Sequence, residues 1–148
     1  MAKSSKRGVT VVSNRKSTGR GVLSGFGAGG QDKIVRVLND AGEASVQTMQ
    51  NVIATTPSAL VEGKPNRIWS GKMINSVGYR VLNPARGKYR LQTGWIGTEE
   101  DYFLWQDSGE PQNSREWPIK GMMMLFQGYV VARDEVRRGI ERAKLLGK

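Results

Sequence analysis

Apolar side chains return at spacings of three, four and seven between Gln31 and Thr56: Ile34, Val37, Leu38, Ala41, Met49, Val52 and Ile53. That period lays a single apolar stripe along a long helix. Asp32, Asp40 and Glu43 fall toward its start, where negative charge complements the helix dipole. Pro57 ends it, since the residue before a proline is pushed out of helical backbone. A second helical pattern covers Gly121–Leu146, with Met122, Leu125, Phe126, Tyr129, Ala132, Val136, Ile140 and Ala143 as its stripe. Its opposite face carries Arg133, Arg137, Arg138, Arg142 and Lys144, partly offset by Asp134, Glu135 and Glu141.

Between these helices the period changes to two. Gly78–Asn83 and Lys88–Ile96 alternate, and Tyr89, Leu91, Thr93 and Trp95 share one face of the second strand. The tetrad Asn83-Pro84-Ala85-Arg86 suits a type I turn, with Gly87 free to take a left-handed conformation after it. The resulting hairpin has a basic tip of Arg86, Lys88 and Arg90, either a solvated tip or a loop touching phosphates. Ahead of the hairpin, Ser70 can cap a short turn through Ser76, and Trp69 is expected to anchor the preceding proline-bearing loop to the core.

The densest aromatic patch follows, in Gly97–Gly109 (GTEEDYFLWQDSG), with Tyr102, Phe103 and Trp105 inside four residues. Thr98 is placed to cap a short helix whose first turn is Glu99, Glu100 and Asp101, and Gly109 to close it. Three adjacent acids resemble a metal site only superficially, because neighbouring helical residues point apart; the helix dipole accounts for them better. Exposed parts of the segment, Trp105 or Gln106, are expected to meet a neighbouring subunit. The run Met122–Met124 at the start of the last helix is either adaptable filler or, through Met122 and Met123, part of a subunit contact. Trp117-Pro118 stiffens the polar loop before it.

These elements predict an α+β fold: two long helices packed on a small antiparallel sheet, with short connecting helices, as one core domain over residues 31–148. Residues 1–30 form a flexible basic arm by composition, rich in Gly, Ser, Lys and Arg. Only Gly8–Ser13 (GVTVVS) is β-branched enough for a short strand added to a sheet edge. Gly25–Gly30 matches G-x-G-x-x-G, but no firm strand precedes it and no parallel βαβ pattern follows, so a hinge accounts for it better than a dinucleotide site.

Charge sharpens the picture of the arm. Of the net charge of +10, residues 1–30 supply +6 through Lys3, Lys6, Arg7, Arg15, Lys16 and Arg20, with no acid among them. Such a segment suits a polyanion, through phosphate neutralisation and counterion release, or serves as a solubilising tail. The absence of both cysteine and histidine removes disulfides, thiolate chemistry, the commonest metal ligand and the commonest general base. The expectation is therefore a non-enzyme with no cofactor and no metal. No apolar run approaches the ~20 residues of a membrane span. The basic N-terminus lacks the apolar stretch of a signal peptide, so cytosolic synthesis and no membrane partner are expected.

The order of elements resembles the neck and tail-completion proteins of lambda-like siphophages, a family of minor tail proteins. Pro57 stands for that family's first proline and Ser70-Gly-Lys-Met-Ile-Asn-Ser76 for its turn. Tyr102-Phe-Leu-Trp-Gln-Asp-Ser-Gly109 stands for its aromatic segment, with Asp107 in place of the usual glutamate. Trp117-Pro118 and Met122–Leu125 stand for the motif that leads into the terminal helix. The resemblance covers about residues 31–146 and leaves the basic arm outside the pattern. It implies a structural virion protein at the head–tail junction, made in the host cytoplasm. Such a protein forms a ring of six copies, or twelve, against neighbouring neck and tail-tube proteins, and its bore passes double-stranded DNA. On that reading Lys3, Lys6, Arg7, Arg15, Lys16, Arg20, Arg86, Lys88 and Arg90 face DNA. Trp69, Tyr102, Trp105, Gln106, Trp117, Met122 and Met123 form the subunit interface. The alternative is a monomeric nucleic-acid-binding module that uses the arm and the hairpin tip. A nuclease built on Glu99–Asp101 is the remotest of the three.

Overall fold

The computed structural model describes residues 7–12, 30–58, 62–68, 70–85, 87–96, 101–109 and 120–146. Strand β1 (Arg7–Val12) is followed by helix α1 (Gly30–Thr55), a four-residue helix α2 (Lys72–Asn75) and strands β2 (Val77–Ala85) and β3 (Lys88–Trp95). Helices α3 (Asp101–Ser108) and α4 (Met124–Leu146) complete the order. The fold is α+β, with one antiparallel sheet in the order β1-β3-β2. The strand expected at Gly8–Ser13 forms one residue earlier and pairs along the edge of β3, from Arg7 opposite Thr93 to Val12 opposite Lys88. Among the described residues no helix is long and apolar enough to cross a membrane.

The period-two pattern of β3 decides which face meets the helices. Tyr89, Leu91, Thr93 and Trp95 are all buried, while Lys88 and Arg90 on the opposite face are exposed. Around Tyr89 and Leu91, the core gathers Ile34, Val37, Leu38 and Ala41 from α1 with Ala132 and Val136 from α4. Around Trp95 it gathers Met49, Val52 and Ile53 from the other end of α1 with Met73, Val77, Phe103, Met122, Met124 and Leu125. The two long helices therefore run antiparallel to each other across the same face of the sheet. Trp95 and Phe103 lie with ring centroids 5.3 Å apart and planes tilted by 39°, which ties α3 to the central strand. Among the described residues the buried Trp95 indole N–H finds no acceptor.

Two glycines of α4 set how closely the helices approach. A Cβ on Gly128 would lie 2.5 Å from Met49 Cγ, and one on Gly139 would lie 2.7 Å from Val37 Cγ1. Beside Gly128 sits a buried polar node. Ser45 Oγ donates to the Gly128 carbonyl at 2.9 Å and lies 2.7 Å from Thr93 Oγ1, so the threonine hydroxyl can donate in turn to the serine. Helix, sheet and helix are thus joined by a chain of hydroxyls where the apolar pattern alone would place only packing.

Other boundaries differ from expectation as well. The hairpin reverses later than the Asn83–Arg86 turn would have it. β2 runs on to Ala85, which pairs with Lys88, and the ladder is irregular between Leu82 and Ala85. Pro84, with no N–H to offer, falls in that irregular stretch, where no ladder bond is needed. Gly87 is left-handed as expected, at φ 72°. Helix α4 starts at Met124 rather than Gly121, because residues 121–123 turn back on α3 and Met123 adopts φ 57°. The stripe shifts with it: Met124 is fully buried, and Phe126, expected in the core, is 45% exposed. In α2 the capping position is Gly71, left-handed at φ 82°, while the Ser70 hydroxyl accepts from the Lys72 N–H at 3.3 Å.

Candidate functional site

The aromatic segment and the start of α4 form one corner, and backbone polarity explains its shape. The last carbonyls of a helix lack internal partners and must find donors elsewhere. Gly109 closes α3 at φ 89° with its N–H on the Trp105 carbonyl, as the sequence predicts for that glycine. The chain then returns alongside. Met122 N–H donates to the Gln106 carbonyl at 3.0 Å, and Met123 N–H to the Asp107 carbonyl at 2.9 Å. The Asp107 carboxylate accepts the Leu125 N–H at 3.0 Å, so the first turn of α4 is capped by a side chain from α3. Gly121 permits this approach, since a Cβ there would lie 2.6 Å from the Asp107 carbonyl oxygen.

Arg67 locks the corner to the loop after α1. It is 4% exposed, and its Nη1 donates to the Gln106 carbonyl at 2.9 Å, to Gln106 Oε1 at 3.2 Å and to the Lys120 carbonyl at 2.6 Å. Its Nε donates to the Pro57 carbonyl at 3.2 Å, and its backbone N–H to the Ile53 carbonyl at 3.1 Å. No sequence signal singles out this residue. It lies in a proline-bearing loop without periodicity, and the carbonyls it serves are up to 53 positions away.

The expected interface residues separate on this geometry. Trp105 (41% exposed) and Met123 (48%) stand in solvent beside the corner, as an interface requires. Gln106 does not: it is 2% exposed, with its side-chain oxygen held by Arg67. Met122 is also withdrawn, buried among Met124, Leu125 and Phe103. Arg67 occupies the Gln106 side chain, and the return of residues 121–123 along α3, with Met122 N–H on the Gln106 carbonyl, turns Met122 inward. Tyr102 falls in the first turn of α3. Trp69, Trp117, Thr98, Glu99 and Glu100 lie outside the described residues.

Among the described residues, basic side chains gather away from this corner on the outer sheet face, along α4 and at the start of α1. On the outer face of the sheet Lys88 and Arg90 are exposed beside Arg80, whose Nε donates to Gln92 Oε1 at 2.8 Å. On α4, Arg133, Arg137, Arg138, Arg142 and Lys144 are all exposed, as its polar face predicts. Arg138 pairs with Glu135 at 2.8 Å and Arg133 with Asp134 at 3.2 Å. Exposed pairs of this kind contribute ~0–1 kcal/mol. A groove of about 350 Å³ between the start of α1 and the end of α4 is lined by Lys33, Arg36 and Arg142 against Asp40. Of the expected DNA-facing residues, Arg7 opens β1 opposite Thr93. Lys3, Lys6, Arg15, Lys16, Arg20 and Arg86 lie outside the described residues.

The Tyr79 phenol is a perturbed titrating group. Tyr79 rests over Gly42, where a Cβ would meet its ring at 2.3 Å, and its phenol is pushed above the ordinary value. Burial is the main cause, followed by the charges of Glu43 and Asp40. Below the ordinary tyrosine pKa of ~10 both folded and unfolded chains hold the proton. As pH rises past that value the unfolded chain loses it first, so stability falls with pH until the folded phenol titrates too. Tyr79→Phe should therefore flatten the loss of stability between pH 9 and pH 11 in urea titrations. An identical pH slope in both proteins would contradict this origin.

No family model matches the chain, and no curated protein or solved structure matches it.

Proposed function

We propose that this chain is a structural subunit of a tailed-phage virion. It closes with copies of itself into a ring at the head–tail junction, six copies being the favoured number, and DNA passes through the bore. The observation that carries this reading is the pair of large apolar side chains, Trp105 and Met123, left in solvent beside a corner that buried hydrogen bonds otherwise close. Apolar residues so placed are what a subunit contact consumes. The resemblance of residues 31–146 to neck and tail-completion proteins supplies the biological setting. The exposed cations of α4 and of the outer sheet face supply charge suited to a DNA conduit. No catalytic role is part of the proposal.

Light scattering and electron microscopy of the purified protein test it, alone and mixed with a tail-tube protein. The expected result is a closed ring for the wild type. Trp105→Glu combined with Met123→Glu should give a monomer with an unchanged far-UV circular dichroism spectrum. A wild type that stays monomeric at every concentration and in both settings would overturn the proposal.

A second reading, a monomeric nucleic-acid-binding module, draws on Lys88 and Arg90, which have no carboxylate partner among the described residues. It predicts duplex binding by the monomer with a steep salt dependence, made shallower by Lys88→Ala with Arg90→Ala.

A further inference from the structure

We infer that β1 is an exchangeable strand, which each copy of the chain can donate to the β3 edge of a neighbouring copy. The inference rests on the reading that copies assemble, and it adds how neighbours are joined. It follows from the placement of β1 relative to α1. Val12 ends β1 opposite Lys88, and Val11 lies opposite Tyr89. Tyr89 packs in the same cluster as Ile34, one turn into α1. The end of β1 and the start of α1 therefore lie at the same end of the sheet, a separation that a loop of about four to six residues ordinarily closes. The chain instead places the 17 residues 13–29 between them.

At a maximum of ~3.3–3.6 Å per residue, a connection of that length can reach on the order of 60 Å. Its sequence, SNRKSTGRGVLSGFGAG, holds five glycines and no proline, the composition of a spacer rather than of a tight turn. The acceptor edge is equally permissive. β1 is the outermost strand, its six residues pair with β3 in unbroken register, and it packs chiefly against β3 and α4. An identical strand from another copy makes the same ladder bonds. Exchange thus alters connectivity without altering the contacts, which is the condition that makes strand swapping a low-cost route to assembly. Donation from each copy to the next is a head-to-tail contact, and such contacts generate closed rings when the rotation closes.

The chain contains no cysteine, so a disulfide reports the pairing directly. Thr10 and Arg90 are direct partners in the β1–β3 ladder. Antiparallel partners stand ~4.5–5.5 Å apart between Cα atoms, within disulfide reach. The full chain carrying Thr10→Cys is mixed with the full chain carrying Arg90→Cys, unfolded in urea, refolded together at high concentration and oxidised. The expected product is a disulfide between Cys at 10 of one chain and Cys at 90 of another, identified by peptide mass in the oligomeric fraction. The doubly substituted chain should give a ladder of covalent oligomers. Deleting residues 16–26 from it, which leaves enough chain for closure within one copy, should convert that ladder to intrachain bonds. If the doubly substituted chain closes only on itself while light scattering still shows the oligomer, exchange is refuted and the ring reading stands. If it closes only on itself and stays monomeric, both fail.

Discussion

Arg67→Ala is expected to lower stability by about 3–4 kcal/mol. The guanidinium is buried and serves the carbonyls of Pro57, Gln106 and Lys120 together with Gln106 Oε1. Alanine leaves the two buried Gln106 acceptors and the partly buried Pro57 and Lys120 carbonyls without their donor, and each unsatisfied buried group costs about 1–3 kcal/mol. Relaxation of the loop, whose Glu62, Gly63 and Pro65 are exposed, should recover part of that sum. Arg67→Lys should recover little, because a single ammonium cannot reproduce a planar fork that serves several acceptors. Urea denaturation followed by circular dichroism measures both variants, and an Arg67→Ala loss below about 1 kcal/mol would show that the corner does not depend on this side chain. The corner should also loosen locally. Amide exchange at Met122 and Met123, whose N–H groups donate to Gln106 and Asp107, is expected to accelerate in the variant before the chain unfolds globally.

Gly128→Val is expected to cost about 2–4 kcal/mol, for the opposite reason: too much atom rather than too little. The new Cβ would lie 2.5 Å from Met49 Cγ, 2.8 Å from Met49 Sδ and 3.0 Å from Ser45 Oγ. Met49 and Ser45 are fully buried, so neither can swing into solvent to make room. The helices must separate or Met49 must leave its rotamer, and either move strains the Ser45 bond to the Gly128 carbonyl. Gly128→Ala gives the cleaner sign. At an exposed helix position glycine to alanine gains up to ~1 kcal/mol, so a net loss at Gly128 isolates the steric term. Thermal and urea unfolding of both variants provide the measurement. A stabilised Gly128→Ala protein would mean that the helix pair is looser than these contacts imply.

Both effects show where the sequence is a sufficient guide and where it is not. The long helices, the buried face of β3 and the left-handed Gly87 and Gly109 were legible because each depends on neighbours within a few positions. A stripe repeats every three or four residues, a strand face every two, and a left-handed turn favours a residue without a Cβ. The same local reasoning placed Phe126 in the core and Gln106 on the surface, and the fold reversed both. Periodicity assumes that a helix begins where its pattern begins. Here residues 121–123 are drawn onto α3 by the free carbonyls of Gln106 and Asp107, so α4 starts at Met124, while Arg67 reaches in from the loop after α1 to hold Gln106.

The candidate assembly surface divides in the same way. Trp105 could be named from sequence because an aromatic-rich short helix has more apolar side chains than one face can bury. Arg67 could not, since a cation in a loop has no partner until the chain brings three distant carbonyls around it. By itself, then, the sequence determined the α+β class, the faces of α1 and β3 and the concentration of charge in residues 1–30. Those are properties of local period and composition. Tertiary structure alone decided the Arg67 junction, the close approach at Gly128 and the register that seats β1 on β3. Each of these depends on groups far apart in the chain meeting at hydrogen-bond or van der Waals distance, and no local pattern carries that information.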